Sequence, residues 1–195
     1  MKWLLLFITA LCTAQSPILP FDEIGDGTVV GAYYKDLDNE FSKFTGTWKF
    51  ENPSSNTSFT ITFQKKESLY NPVFNYYEDA LVGEYKYVEN GVEIINTLNN
   101  LNTNHTGQFY YNIAGAMILD QYNSTAGNRK KVSCNFNDPE REYILISIIV
   151  EYISPQGSQP AQLKVKWMGD LSAIEEGQPD HIRVPTVEYI LVKQP

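Results

Sequence analysis

The stretch that decides the fold is Phe59-Thr60-Ile61-Thr62-Phe63-Gln64, in which apolar and polar side chains alternate strictly. Successive side chains of a β-strand point to opposite faces, so the alternation predicts a strand with one face on a core and the other near water. The same period of two recurs in residues 81–88, 163–167 and 187–192. This repetition predicts an all-β protein built from antiparallel strands.

Turn signals separate the alternating segments. The sequence Glu89-Asn90-Gly91 joins two of them, and Asn-Gly is a strong signal for a tight hairpin. Adding strand candidates at 91–97, 108–113, 131–136 and 143–152 gives about eight or nine strands without a second domain boundary. Closure removes exposed strand edges, so we predict an antiparallel β-barrel, with a β-sandwich of similar size as the alternative.

One short helix is expected near the N-terminus, over residues 33–44. Its apolar side chains are three or four residues apart and would share one face: Tyr34, Leu37, Phe41 and Phe44. Gly46 ends this helix and permits a sharp turn, after which Trp48 opens the first barrel strand. A large aromatic ring at this point would fill one end of a barrel.

The run from Asp38 to Trp48, a short helix leading into Gly-x-Trp, resembles the entry to lipocalins and related calycins. In those proteins a helix closes one end of the barrel and the tryptophan plugs it, which implies a structural plug formed by Gly46 and Trp48. Lipocalins also carry an arginine near the last strand that packs on the tryptophan, and Arg183 is the candidate here. Their Thr-Asp pair in a mid-chain turn is absent from this sequence.

A second resemblance covers nearly the whole chain. It is carried by residues 32–36, 44–49, 64–66, 83–87, 95–97, 184–186 and 193–194. These segments resemble a domain-of-unknown-function family of small exported proteins from Gram-negative bacteria. The resemblance implies a secreted single-domain protein and brings no activity or site with it.

The first residues have the order that export requires. Lys2 is basic, residues 3–11 are apolar, and small residues precede a cleavage point between Ala14 and Gln15. We therefore predict a signal peptide at 1–14, a flexible lead at 15–31 and a single barrel domain at 32–195. The expected location is secreted or periplasmic, with no later segment that spans a membrane.

Composition narrows the choice of partners. The formal net charge is −8, from 15 basic and 23 acidic residues, and an acidic surface repels nucleic acid and anionic lipid. Removal of Cys12 with the signal would leave Cys134 as the only cysteine, so no intramolecular disulfide is expected. Cys134 is then expected to be a buried apolar residue.

The sequence offers no signature of an enzyme. His105 and His181 are far apart and lack the neighbours of a metal site, and no Gly-x-Ser-x-Gly elbow or Gly-rich phosphate loop is present. We therefore predict no catalytic residues, no metal and no cofactor. A hydrolase ranks last among the functions considered.

The candidate site is the barrel interior. If the strands close, five aromatic side chains point inward: Phe59, Phe63, Tyr85, Tyr87 and Trp167. A barrel of this size holds either a packed core or one small ligand. The first hypothesis is a secreted lipocalin-like binding protein for a small, mostly apolar ligand. The alternative is a filled barrel that serves as a non-catalytic structural or interaction module of the periplasm or cell surface.

Overall fold

The computed structural model describes residues 16–25, 27–120, 122–172 and 174–195, so the predicted signal peptide lies outside the described residues. The strands of the described part form one sheet of eleven. They are β1 (Ile18–Pro20), β2 (Tyr33–Lys35), β3 (Gly46–Asn52), β4 (Thr57–Asn71), β5 (Tyr76–Glu89), β6 (Val92–Asn96), β7 (Ile113–Ile118), β8 (Lys131–Phe136), β9 (Ile144–Ile153), β10 (Gln162–Ser172) and β11 (Tyr189–Lys193).

Eight of these strands close into an antiparallel barrel in the order β3-β4-β5-β7-β8-β9-β10-β11. Each pairs with the next barrel strand along the chain, and β11 returns to β3 through Val192–Lys49 and Lys193–Trp48. The predicted all-β class and antiparallel barrel are confirmed, and closure excludes the sandwich. Lipocalins share this up-and-down arrangement, which is a likeness of fold alone.

The alternation read from the sequence places the core inside the barrel. Phe59, Ile61 and Phe63 of β4 are buried there, and the neighbouring Thr60 and Thr62 are only partly covered. Two chain segments outside the barrel strands contribute to the same core, one just before β3 and one just before β11. Their buried side chains are Phe41, Phe44, Ile182 and Val184.

β5 extends beyond the part of the barrel that β7 covers. Its first residues pair with β2 in parallel, through Tyr33–Tyr77 and Tyr34–Glu78, and β2 pairs in parallel with β1. Its last residues pair with β6 across the predicted hairpin, where Asn90 and Gly91 have φ angles of 51° and 79°. The Asn-Gly hairpin prediction is therefore confirmed. β1 also shows that part of the 15–31 lead is built into the sheet.

The predicted helix over 33–44 is wrong. Residues 33–35 form β2 because the uncovered edge of β5 offers partners for an extended segment. The backbone then turns at Asn39, which has a φ of 55°, and only Glu40–Lys43 is helical, as one 3-10 turn. The Asp36 carboxylate accepts hydrogen bonds from the Glu40 and Phe41 amides, which fixes this turn.

The predicted strand over 108–113 is displaced along the chain. Residues Gln108–Tyr110 form a 3-10 turn, and β7 begins at Ile113. The Gln108 side chain is used for contacts between strands: its amide donates to Glu78 at 2.7 Å, and its carbonyl accepts from the Gly115 amide at 2.9 Å.

Candidate functional site

The five aromatic residues predicted to point inward are found in the barrel core. Phe59, Phe63, Tyr85 and Tyr87 are buried, and Trp167 is partly buried. Phe59 lies at the centre of a cluster, with ring centroids 6.3 Å from Tyr85, 6.4 Å from Tyr87 and 6.4 Å from Trp167. The Phe63 ring packs against Gly83 of β5.

Two further rings that the sequence reasoning missed complete this cluster. Phe136 lies 4.3 Å from Tyr85 and 4.9 Å from Trp167, and Tyr189 lies 4.8 Å from Phe59, measured between centroids. Phe136 is flanked by Asn135 and Asn137, so its inward direction was readable from the sequence, whereas Tyr189 has Glu188 on one side and the apolar Ile190 on the other.

The donors of the cluster bond to backbone carbonyls, except for the Tyr87 hydroxyl, which donates to the Glu89 carboxylate at 3.4 Å. Tyr85 donates to Asn137 at 2.9 Å, and the Trp167 indole donates to Val187 at 2.7 Å. Burial is the main reason that the pKa of the Tyr85 hydroxyl lies well above its usual range. The rings touch one another and their donors are satisfied internally, as expected for core aromatics. Ligand binding by these five residues stays a prediction.

Trp48 is fully buried near the start of β3. Its indole N–H donates to the Phe44 carbonyl at 2.7 Å, and the Lys193 ammonium lies 4.3 Å from its ring centroid. Gly46 has a φ of 100°, and a side chain there would collide with Lys193. The cation over Trp48 is thus a lysine of the last strand, and the assignment of that position to Arg183 is wrong.

Arg183 instead forms a buried ion pair with a loop carboxylate. Its guanidinium donates to both oxygens of Asp138, with the shortest contact at 2.5 Å, and a further nitrogen lies 2.8 Å from Glu140. Burial opposes ionisation of Asp138, but the hydrogen bonds from Arg183 hold the pKa of this carboxyl below its usual range. The pair fixes the loop between β8 and β9 against the segment that leads into β11.

A cleft opens where the barrel closes between β5 and β7. The two strands share the single ladder pair Gly83–Ile113, and the earlier residues of β5 pair with β2 instead of β7. The strands therefore separate, and Gln108 bridges the gap through the side-chain hydrogen bonds described above. This opening depends on pairings between distant segments, which a local pattern cannot show.

The cleft has a volume of about 310 Å³ and mostly apolar walls. We call it the seam cleft, and the walls come from Phe21, Ile24, Val73, Phe74, Phe109 and Met117. Four of these side chains, Val73, Phe74, Phe109 and Met117, are more than half exposed to solvent. Exposed aromatic and aliphatic groups around a concave site are typical of a surface that binds a ligand or partner.

The floor of the seam cleft is polar and buried. Glu78 is 4 % exposed, and one of its oxygens accepts from the side-chain amides of Asn71 at 3.1 Å and Gln108 at 2.7 Å. Burial raises the pKa of the Glu78 carboxyl, and the two amides offset part of that effect. The signal in the sequence was the Glu78-Asp79 pair placed between Tyr77 and Ala80, two carboxylates inside a segment with apolar neighbours.

Two observations bear on the chemistry of the described residues. Within the described ranges there is no group of three or more His, Cys, Asp and Glu side chains that could hold a metal. Burial raises the pKa of the Cys134 thiol to about 12, which leaves this thiol protonated and unreactive near neutral pH. No helix in the part of the chain that the structure describes is long and apolar enough to cross a membrane.

Comparison with known proteins identifies the family. No curated protein and no solved structure matches the chain. A family model described as a family of unknown function, DUF6705, matches residues 1–194. The match covers nearly the whole sequence, including the barrel and the seam cleft. The chain therefore belongs to DUF6705, a family of unknown function.

Proposed function

We propose that this protein is an exported, non-catalytic binding protein for a small, mostly apolar ligand, and that the seam cleft holds the ligand. The carrying observation is the combination of apolar walls, a volume of about 310 Å³ and the buried polar floor at Glu78. Small-molecule sites are typically concave and apolar, with a few polar groups that orient the ligand. The order of basic, apolar and small residues at 1–14 supports export.

The seam cleft is a better candidate than the aromatic cluster in the lumen. The lumen rings lie within 4.3 to 6.4 Å of one another between centroids, so a ligand there would have to displace core contacts. Forcing extra atoms into a well-packed protein core costs about 1–3 kcal/mol, and a ligand in the lumen would carry a cost of this kind. The seam cleft is already open and would need no such rearrangement.

Fluorescence of N-phenyl-1-naphthylamine, a neutral apolar dye, tests the proposal. We expect saturable binding to the full chain, weakened about tenfold, or about 1.4 kcal/mol, in the double variant Phe74→Ala and Phe109→Ala. The control is Tyr122→Ala, since Tyr122 is 90 % exposed and does not line the seam cleft.

Two other results would count against the seam cleft. Dye binding that resists the double variant but is lost in Trp167→Ala would move the ligand to the lumen. Absence of saturable binding would overturn the binding function itself.

An interaction module is the second candidate, and one feature of the surface favours it. Leu145 and Met168 are 64 % and 46 % exposed, and both line a second cleft of about 400 Å³ beside Phe136. An apolar patch of this kind can dock a protein partner. If the dye does not bind, loss of self-association or partner capture in Leu145→Glu would support this alternative.

A further inference from the structure

Glu78 differs from the other buried carboxylates of the described residues in its partners. Four of them have a cation within 4.0 Å: Asp36 and Asp79 with Lys65, Glu40 with Lys43, and Asp138 with Arg183. Glu84 has no cation, but its two oxygens accept three hydrogen bonds from Asn100 and Asn112. Each of these carboxylates is therefore compensated inside the protein.

Within the described part of the chain, Glu78 has neither a cation within 4.0 Å nor hydrogen bonds to both of its oxygens. Both of its hydrogen bonds, from Asn71 and Gln108, end on the same oxygen, Oε1. Among the described residues, no side chain or backbone group donates to Oε2, and no Lys, Arg or His forms an ion pair with the carboxylate. Oε2 is not among the fully buried polar atoms of the described residues that lack a partner, and Glu78 lines the seam cleft, so this oxygen is open to a donor that enters the cleft.

The charge of the seam cleft agrees with a cationic donor. Of the residues that the structure describes, its lining includes the two carboxylates Asp22 and Glu78 and no Lys, Arg or His. Asp22 already pairs with Arg129, at 2.8 Å between Oδ2 and Nη1. Glu78 is thus the lining carboxylate that has no cationic partner among the described residues, and a carboxylate or phosphate ligand would meet like charge there.

We infer that the ligand of the seam cleft is a cationic amphiphile, an apolar molecule with an amine head whose ammonium donates to Glu78 Oε2. This inference rests on the proposed function, because it assigns the chemistry of the ligand at the same site. The apolar body contacts Phe74, Phe109 and Met117, and the ammonium reaches the floor. A charge-assisted hydrogen bond is about twice as strong as a neutral one.

Three ligands with the same chain separate the head group from the tail. Octylamine, 1-octanol and octanoate are each titrated against N-phenyl-1-naphthylamine bound to the full chain. We expect octylamine to displace the dye at a concentration at least tenfold lower than 1-octanol, and octanoate to be the weakest. In Glu78→Gln the preference for octylamine over 1-octanol should disappear, while 1-octanol should bind as before.

Glu89→Gln is the matched control, because Glu89 is an exposed carboxylate at the other end of β5 and does not line the seam cleft. It removes the same charge and should keep the amine preference. If 1-octanol fails to displace the dye, the proposed function fails. If 1-octanol displaces it but octylamine does so no better than octanoate, only the cationic inference is overturned. A preference that survives Glu78→Gln would also overturn it.

Discussion

Trp48 joins three parts of the chain at one point. Its indole N–H is bound to the carbonyl of Phe44, its ring lies under the Lys193 ammonium, and Tyr152 of β9 packs edge-on at 6.3 Å between centroids. A tryptophan buries more apolar area than most side chains, so these contacts concentrate stability in a single residue.

Truncation of Trp48 should therefore be severe. We expect Trp48→Ala to lower the free energy of unfolding by about 3–5 kcal/mol, because the change leaves a large void and an unpaired Phe44 carbonyl. Trp167→Ala should cost less, since Trp167 is only partly buried. Denaturant unfolding of both variants beside the parent measures the difference. A cost for Trp48→Ala below about 1 kcal/mol would show that the ring is not a plug.

Glu78 should make stability depend on pH in an unusual direction for a carboxylate. Its pKa is raised on folding, so the folded chain holds this proton more tightly than the unfolded chain. Stability is then lost as pH rises from the unfolded pKa, which is about 4.5, through the higher folded pKa.

Glu78→Gln should consequently stabilise the protein near neutral pH, and the gain should shrink toward zero below the unfolded pKa. Urea unfolding at a pH of about 4 and about 7.5 measures it, with Glu89→Gln as the exposed control. An equal effect of Glu78→Gln at both pH values would mean that the ionised carboxylate carries no folding cost.

At the scale of elements, the contact between β5 and β7 has the fewest paired residues of any neighbouring strands in the barrel, a single ladder pair. Gly83 lies in β5, with β4 on one side and β7 on the other. A Cβ atom on this residue would lie 2.8 Å from the Phe63 ring and 3.3 Å from Cβ of Ile113. The absence of a side chain lets β7 approach β5 at this one position. Toward the N-terminal end of β5 the two strands separate, and the seam cleft lies in the gap between them.

Gly83→Ala should loosen this junction. We expect a loss of about 1–3 kcal/mol in unfolding free energy, the usual cost of overpacking a core. Gly107→Ala is the matched control, because the nearest atoms there would be 3.8 Å away and the expected change is within about 0.5 kcal/mol. Equal effects of the two substitutions in denaturant unfolding would contradict a close approach at Gly83.

At the scale of the whole molecule, the barrel is held without a disulfide between the described residues. Cys134 is a free, buried thiol, and core packing with internal ion pairs must supply the stability. The inward residues come from all eight barrel strands, so the core is continuous around the barrel.

Export should leave a mature chain that starts at Gln15. The reason is that small residues, Cys12 and Ala14, occupy the two positions that signal peptidase requires. Intact mass and N-terminal sequencing of the exported protein measure the boundary. Recovery of an exported chain that still begins at Met1 would refute it, and substitution of Ala14 by a large residue should slow the cleavage.

The sequence by itself determined the features that depend on local pattern. Alternation in residues 59–64 and 81–88 is a property of neighbouring residues, so it predicted β4, much of β5 and the inward direction of Phe59 and Tyr85. Asn90 and Gly91 tolerate positive φ, so the hairpin could also be read locally. The need to protect strand edges then favoured the closed barrel.

Only the tertiary structure decided the features that depend on distant partners. Residues 33–35 became a strand because β5, about forty residues later, offered an edge, and the local helix pattern could not compete with those hydrogen bonds. Lys193 reaches Trp48, and Gln108 reaches Glu78, which is 30 residues away in the chain. The seam cleft exists because β5 and β7 separate after one pair, and that separation is set by the pairing of whole strands and not by any side chain alone.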